Sequence, residues 1–239
     1  MKKLFFLTSV LMVFVIAPMV MADTVMVNRV SGYYSGNGGE FTLQIINNNA
    51  APDLNSNWAL YSSNTRDIGT NVPSFQTFCL ETDEYVNVPG GPYNVVLNNS
   101  AVTGGSGGPS PDPLSVGAAW LYHEFQLGRL TGYDYDPTNG HRSASAVALQ
   151  QAIWWLEDEI TLAVPTNNSF INLLYGFMND PKANNDGLYP VGVLNLYDSS
   201  GGLHQDQLVC TAVPEPATML LLGSGLLGLA GFARRRFKK

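Results

Sequence analysis

An uncharged apolar run of 17 residues, Ala217 to Ala233, ends in Arg234, Arg235 and Arg236, with Lys238 and Lys239 just beyond. No other feature limits the chain as much. The run is at the short edge of the ~17–25 residues that cross a bilayer as a helix, so it predicts a transmembrane segment. The basic cluster should stay cytoplasmic, which places everything before Pro214 on the outer side. At the outer mouth of the run stands Pro214-Glu215-Pro216, a motif that a plain tail anchor does not need. The other end agrees. Lys2 and Lys3 precede the apolar stretch Leu4 to Ile16, and Val20-Met21-Ala22 offers small residues before a cut. This pattern predicts a secretory signal peptide cleaved between Ala22 and Asp23. The expected organisation is a signal peptide over 1–22, an exported body over 23–212 and a sorting tail over 213–239. The tail comprises the 214–216 motif, the 217–233 helix and the 234–239 basic cluster.

The tail resembles the PEP-CTERM sorting signal of Gram-negative bacteria. The matching residues are Pro214, Glu215 and Pro216, the Gly-rich apolar segment Met219 to Ala230, and Arg234, Arg235 and Arg236. The resemblance implies a partner, the membrane protease exosortase, cutting near Pro-Glu-Pro. It also implies export through the inner membrane, transient anchoring by the C-terminal helix, and a final place at the cell surface or in an extracellular matrix such as a biofilm.

With both ends set aside, the body keeps 5 basic and 18 acidic side chains, a formal charge of −13. Nucleic acid and anionic lipid bind through Lys and Arg, so neither is an expected partner of the body. About 190 residues suffice for one domain with its own core. With only two cysteines, Cys79 and Cys210, that core must carry the stability.

Strands are expected over Thr24–Val30, Phe41–Ile46, Trp58–Ser62, Phe75–Glu81, Tyr93–Leu97, Val191–Tyr197 and Gln207–Ala212. Ser31–Glu40 and Asn98–Pro113 are Gly- and Pro-rich and read as turn and loop. Three helices are expected between the strand groups. The first runs from the N-cap Ser115 to Leu127, with Gly128 after it; the second runs from Ser143 to Glu159; the third runs from Ser169 to Met178. Ala146, Leu149, Ile153 and Leu156 give the second helix an apolar stripe. Thr131–Arg142 reads as a polar loop. The fold class is therefore α+β: a β-barrel or β-sandwich body with a helical insertion, flanked by the signal peptide and the transmembrane sorting helix.

Phe78-Cys79-Leu80 on an expected strand and Gln150-Gln151-Ala152-Ile153-Trp154 on an expected helix resemble the bacterial thioester domains of surface adhesins. Leu149 stands where that family often has Thr. The resemblance spans about Phe75 to Glu159. It implies an internal thioester between the Cys79 sulfur and the Gln150 side-chain carbonyl, formed with loss of ammonia. Such a bond needs a dry, shaped site, for which Phe78, Trp154 and Trp155 are candidate walls. The protein would then be a single-use covalent binder, not a turnover enzyme. Its partner would be a surface or matrix ligand bearing an amine or hydroxyl, in an adhesive role.

Two alternatives stay open. A Cys79–Cys210 disulfide would make a structural surface protein without covalent chemistry, closing a loop of about 130 residues worth about 4–5 kcal/mol in chain-entropy models. A secreted cysteine hydrolase would pair Cys79 with His123 or His141. No cofactor is called for, and no metal: His123, His141 and His204 lack ligand spacing. Asp134-x-Asp136-x-Thr138-Asn139-Gly140 lacks the sixth-position glycine and twelfth-position acid of a calcium loop and reads as a turn. Glu81, Asp83 and Glu84 could bind a cation, with a solvated acidic edge as the default reading.

Overall fold

A computed structural model of the chain describes residues 23–47, 74–104, 109–160 and 167–211. The expected signal peptide and the Ala22 side of its cut, the Trp58–Ser62 strand and the sorting tail from Val213 onward lie outside these residues. Among the described residues no helix is long and apolar enough to cross a membrane.

The body is α+β. Its main sheet has six strands: β1 (Asp23–Asn28), β4 (Phe41–Asn47), β5 (Ser74–Thr77), β6 (Gly90–Asn98), β9 (Val191–Tyr197) and β10 (Leu203–Cys210). They are ordered β10-β9-β6-β1-β4-β5, and every pairing is antiparallel. Period-two alternation explains what the sheet encloses. Val25 and Val27, Phe41, Leu43 and Ile45, Tyr93 and Val95, Leu194 and Leu196, and Val209 share one apolar cluster on one face.

The sheet curls until its edges meet. Leu208 N–H donates to Phe78 O at 3.0 Å, Leu80 N–H donates to Asp206 O at 3.1 Å, and Cys79 pairs with Gln207 in an antiparallel bridge. Thr77 Oγ1 adds a bond to Leu208 O at 2.6 Å. A single curled sheet of this kind differs from two stacked sheets, because its core is enclosed by one continuous run of strands.

The helices α1 (Val116–Gln126), α2 (His141–Leu156) and α3 (Ser169–Tyr175) fall between β6 and β9 in the chain. They build a second core outside the sheet. Leu121, Tyr122, Phe125, Leu149, Ile153 and Phe170 meet Val191, Val193, Leu208 and Cys210 there. Strands β9 and β10 are thus covered on both faces over most of their length, which explains the near-continuous apolar reading of β9. Ser115 caps α1, its hydroxyl accepting from Ala118 N–H at 3.2 Å, and Gly128 takes a left-handed φ of 70° just past the end.

Two regions expected as turn and loop contain short hairpins. β2 (Tyr34–Ser35) pairs with β3 (Gly38–Gly39), and β7 (Ser100–Ala101) pairs with β8 (Asp112–Pro113). Gly39 has φ 105°, and a Cβ there would lie 2.8 Å from Tyr34 Cα, so the β2–β3 hairpin requires glycine at that position.

The expected polar loop Thr131–Arg142 needs correcting at its end. α2 begins at His141, and Arg142 is buried. Its guanidinium grips Glu40 with Nε–Oε1 at 2.7 Å and Nη2–Oε2 at 2.8 Å, and it lies 3.7 Å above the Tyr33 ring. Tyr133 also donates to the Glu40 carboxylate. Composition alone marks Arg142 as polar; a bidentate partner and an aromatic face are what allow its burial.

Candidate functional site

Phe78, Cys79 and Leu80 continue β5 against β10, and their side chains alternate. Phe78 and Leu80 join the helical core while Cys79 joins the cluster inside the sheet. From the other side, α2 presents Gln150 next to its apolar stripe. Both Cys79 and Gln150 are fully buried, at 0 % exposure.

The carboxamide of Gln150 is held by Cys79 itself. The Cys79 backbone N–H donates to Gln150 Oε1 at 3.3 Å, and Gln150 Nε2 donates to the Cys79 carbonyl at 2.8 Å. The Cys79 thiol reaches the same Oε1 at 3.4 Å. Sulfur and carboxamide are therefore in van der Waals contact. A backbone donor lies on the carbonyl oxygen, where negative charge develops if sulfur adds to the carbon.

Burial, and then the Glu81 carboxylate, push the Cys79 thiol well above the usual thiol range. Trp154 and Arg29 act in the opposite direction. The thiol form is the resting form, so any attack on the amide must pass its proton to the departing nitrogen. Arg29 is fixed by its own bonds to Gly36 O at 2.9 Å and Asn37 O at 2.7 Å and lies 4.0 Å above the Phe41 ring.

Of the candidate walls, the structure places Trp154 beside the pair. It packs on the cluster that contains Cys79, and its indole N–H is buried beside the thiol. Phe78 and Trp155 do not serve as walls. Phe78 turns into the helical core, edge-on to Phe125 at 5.1 Å, and Trp155 faces that same core under Lys182. The reason is periodicity: Phe78 is one residue from Cys79 on extended chain, and Trp155 is off the Gln150–Trp154 face of the helix.

Trp154 is shared by two clefts. One, of ≈ 520 Å³, is lined by Arg29, Phe41, Tyr85, Val86 and Gln205 as well as Trp154. The other, of ≈ 440 Å³, is lined by Ala148, Gln151, Ile160 and Asn168 with Trp154.

Cys79 and Cys210 are not joined. Cys79 lies opposite Gln207, and Cys210 is three residues further along β10 on the other face of the sheet. Three residues of strand span about 10 Å, beyond the ~7 Å Cα separation that a disulfide can bridge.

No histidine hydrogen-bonds Cys79. His141 is exposed beside Asp134 at 3.7 Å, His123 sits on α1 beside Glu124 at 3.5 Å, and His204 packs tilted against Tyr93 with ring centroids 4.6 Å apart. The Asp134 loop is a turn whose carboxylates serve its own donors: Asp136 N–H to Asp134 Oδ1 at 2.9 Å, and Thr138 N–H to Asp136 Oδ1 at 2.8 Å. The acidic edge divides. Asp83 is exposed, whereas Glu81 is buried and meets Asp206 of β10, a residue that sequence reasoning missed. The available signal was Gln205-Asp206-Gln207, three polar residues inside a strand. The expected strand began only at Gln207.

Comparison with known proteins identifies the tail. Residues 212–236 match the PEP-CTERM protein-sorting motif. The chain thus carries a signal for export, transient membrane anchoring and processing by exosortase, a membrane protein. No curated protein and no solved structure matches the chain, and the thioester-domain resemblance of the body finds no support there.

Proposed function

We propose that this exosortase substrate is a surface or matrix protein whose body is a single-use covalent binder, with an internal thioester between Cys79 and Gln150. The observation that supports the reading is the contact between the buried thiol and the buried carboxamide, with Sγ 3.4 Å from Oε1 and the Cys79 N–H on that same oxygen. In the closing step sulfur bonds to Cδ of Gln150, the C–N bond breaks, and the thiol proton leaves with the nitrogen as ammonia. No oxidant or cofactor is required. Burial then shields the thioester from water, and the clefts flanking Trp154 give an amine or hydroxyl its approach. Attack by that nucleophile moves the acyl group of Gln150 to the ligand and returns the Cys79 thiol, so each molecule acts once in an adhesive role.

A second reading has its own observation. Both polar ends of the Gln150 amide are satisfied by the Cys79 main chain, as a purely structural buried glutamine would be. The protein would then be a structural surface protein without covalent chemistry.

Intact mass of the exported protein separates the two. A thioester lowers the mass by about 17 Da, a disulfide by about 2 Da, and the structural reading by nothing. Methylamine should restore mass at Gln150 in the thioester form. Cys79→Ala and Gln150→Ala should each abolish both the deficit and the uptake, while Cys210→Ala should leave them intact. A protein at its plain sequence mass that takes up no methylamine would sink the covalent reading.

A further inference from the structure

We propose that Glu81, Glu84 and Asp206 form a binding site for a calcium ion at the seam where the two edges of the curled sheet meet. One oxygen from each carboxylate lies within 4.8 Å of the others. Two oxygens on opposite sides of Ca²⁺ bound at about 2.3–2.6 Å stand about 4.6–5.2 Å apart, so the spacing accommodates one ion.

The second observation is how each carboxylate is held. Every one has an oxygen fixed by donors. Glu81 Oε2 accepts from Asp206 N–H at 2.9 Å. Asp206 Oδ2 accepts from Val102 N–H and from Asn195 Nδ2, both at 2.8 Å. Glu84 Oε1 accepts from Thr103 Oγ1 at 2.7 Å. The other oxygens, Glu81 Oε1, Glu84 Oε2 and Asp206 Oδ1, are buried and have no hydrogen-bond partner. Glu81 and Asp206 are 1 % and 0 % exposed. Among the described residues no Lys, Arg or His makes an ion pair with any of the three.

Two buried carboxylates and a partly buried third, drawn this close with no counter-charge, are costly without an occupant. Burial and then the carboxylates of Asp206 and Glu84 push Glu81 up, so a proton shared with Asp206 is the competing occupant. An all-carboxylate donor set selects hard cations over zinc or copper. Calcium is the hard cation that accepts irregular oxygen shells and binds exported modules at about 10⁻⁴–10⁻³ M. A bound ion would clamp residues 81–84 to β10, reinforcing the bonds at Leu80 and Leu208 that close the sheet.

The test uses the full chain in mild detergent, stripped with a chelator and titrated with CaCl₂ alone. Calorimetry should give one Ca²⁺ per chain, and the melting temperature should rise with calcium. Glu84→Gln should weaken binding by about tenfold or more, because a charged ligand is lost from the shell. It should leave the calcium-free melting temperature within a few degrees, since Glu84 is only partly buried and its fixed oxygen meets one side-chain donor. Asp206→Asn should abolish binding. Absence of binding heat and of any melting shift at about 10 mM calcium, well above the expected affinity, would overturn the proposal and leave a proton as the occupant. Binding that survives unchanged in Glu84→Gln would also overturn it.

Discussion

Cys79 and Gln150 are both fully buried, yet their removal should have different structural consequences. Cys79 is a small buried side chain, so Cys79→Ala should cost only about 1–2 kcal/mol. Gln150→Ala strips partners from the Cys79 N–H and carbonyl together, and a buried orphaned polar group costs about 1–3 kcal/mol. Urea denaturation should therefore rank Gln150→Ala as the less stable variant, and equal midpoints would contradict the hydrogen-bond geometry. Trp154 has a different role. Its ring lines both clefts and packs on the cluster that contains Cys79, so on the covalent reading Trp154→Ala should speed methylamine uptake, followed by mass against time. Slower uptake in that variant would mean that the indole builds the site and does not cover it. The pairing of Cys79 with Gln150 was legible because a short motif on each side marks it. The orientation of Phe78 and Trp155 follows from strand and helix periodicity, which turns both away from the pair.

At the scale of elements, α2 is anchored at each end by a buried carboxylate. Near its start Arg142 holds Glu40 by two short bonds. Arg142→Met leaves Glu40 charged and buried, and should cost about 3–5 kcal/mol; replacing Glu40 with Leu in the same chain should recover much of that loss. Chemical denaturation of the two variants checks this, and an equal loss in both would show that the charge is not the cause.

Past the last turn of α2, Glu157 accepts from Ser115 Oγ at 2.6 Å and Ser115 N–H at 3.2 Å, joining α2 to the cap of α1. Burial pushes Glu157 up to about 8 against the opposing pull of those bonds. An unfolded Glu titrates near ~4.3, so the folded state holds the proton more tightly. The stability linked to this group is complete below about pH 4, falls as pH rises, and levels off above the folded value near about 8. Between about pH 5 and 8 the wild type should lose on the order of 1–3 kcal/mol more than Glu157→Gln. Parallel pH profiles for the two proteins would show that the carboxyl does not titrate there. The anchors at Arg142 and Glu157 could not be read from the sequence. Their partners are far away in the chain, and a polar residue at a helix end is expected in solvent.

At the scale of the whole molecule, the legible parts are those written in local chemistry. The sorting tail is contiguous, the α1 cap and the apolar stripe of α2 follow from short-range spacing, and the α+β mix follows from the order of elements. Closure of the sheet was not legible, because β5 and β10 are brought together by contacts between residues such as Leu80 and Asp206 that are distant in the chain. The buried carboxylates at that seam were hidden for the same reason. The motif match at residues 212–236 bears on where the protein goes and is independent of what the body binds. The two functions are therefore separable by mutation. Glu215 is the one charged residue between the body and the apolar run. Glu215→Ala in a host with exosortase should block maturation, and the chain with its tail should accumulate in the membrane fraction by immunoblot against the C-terminus. The methylamine response of the body should not change, because the bonds that hold Cys79 and Gln150 run between those two residues. Processing of Glu215→Ala at the wild-type rate would show that the motif's charge is not what exosortase reads.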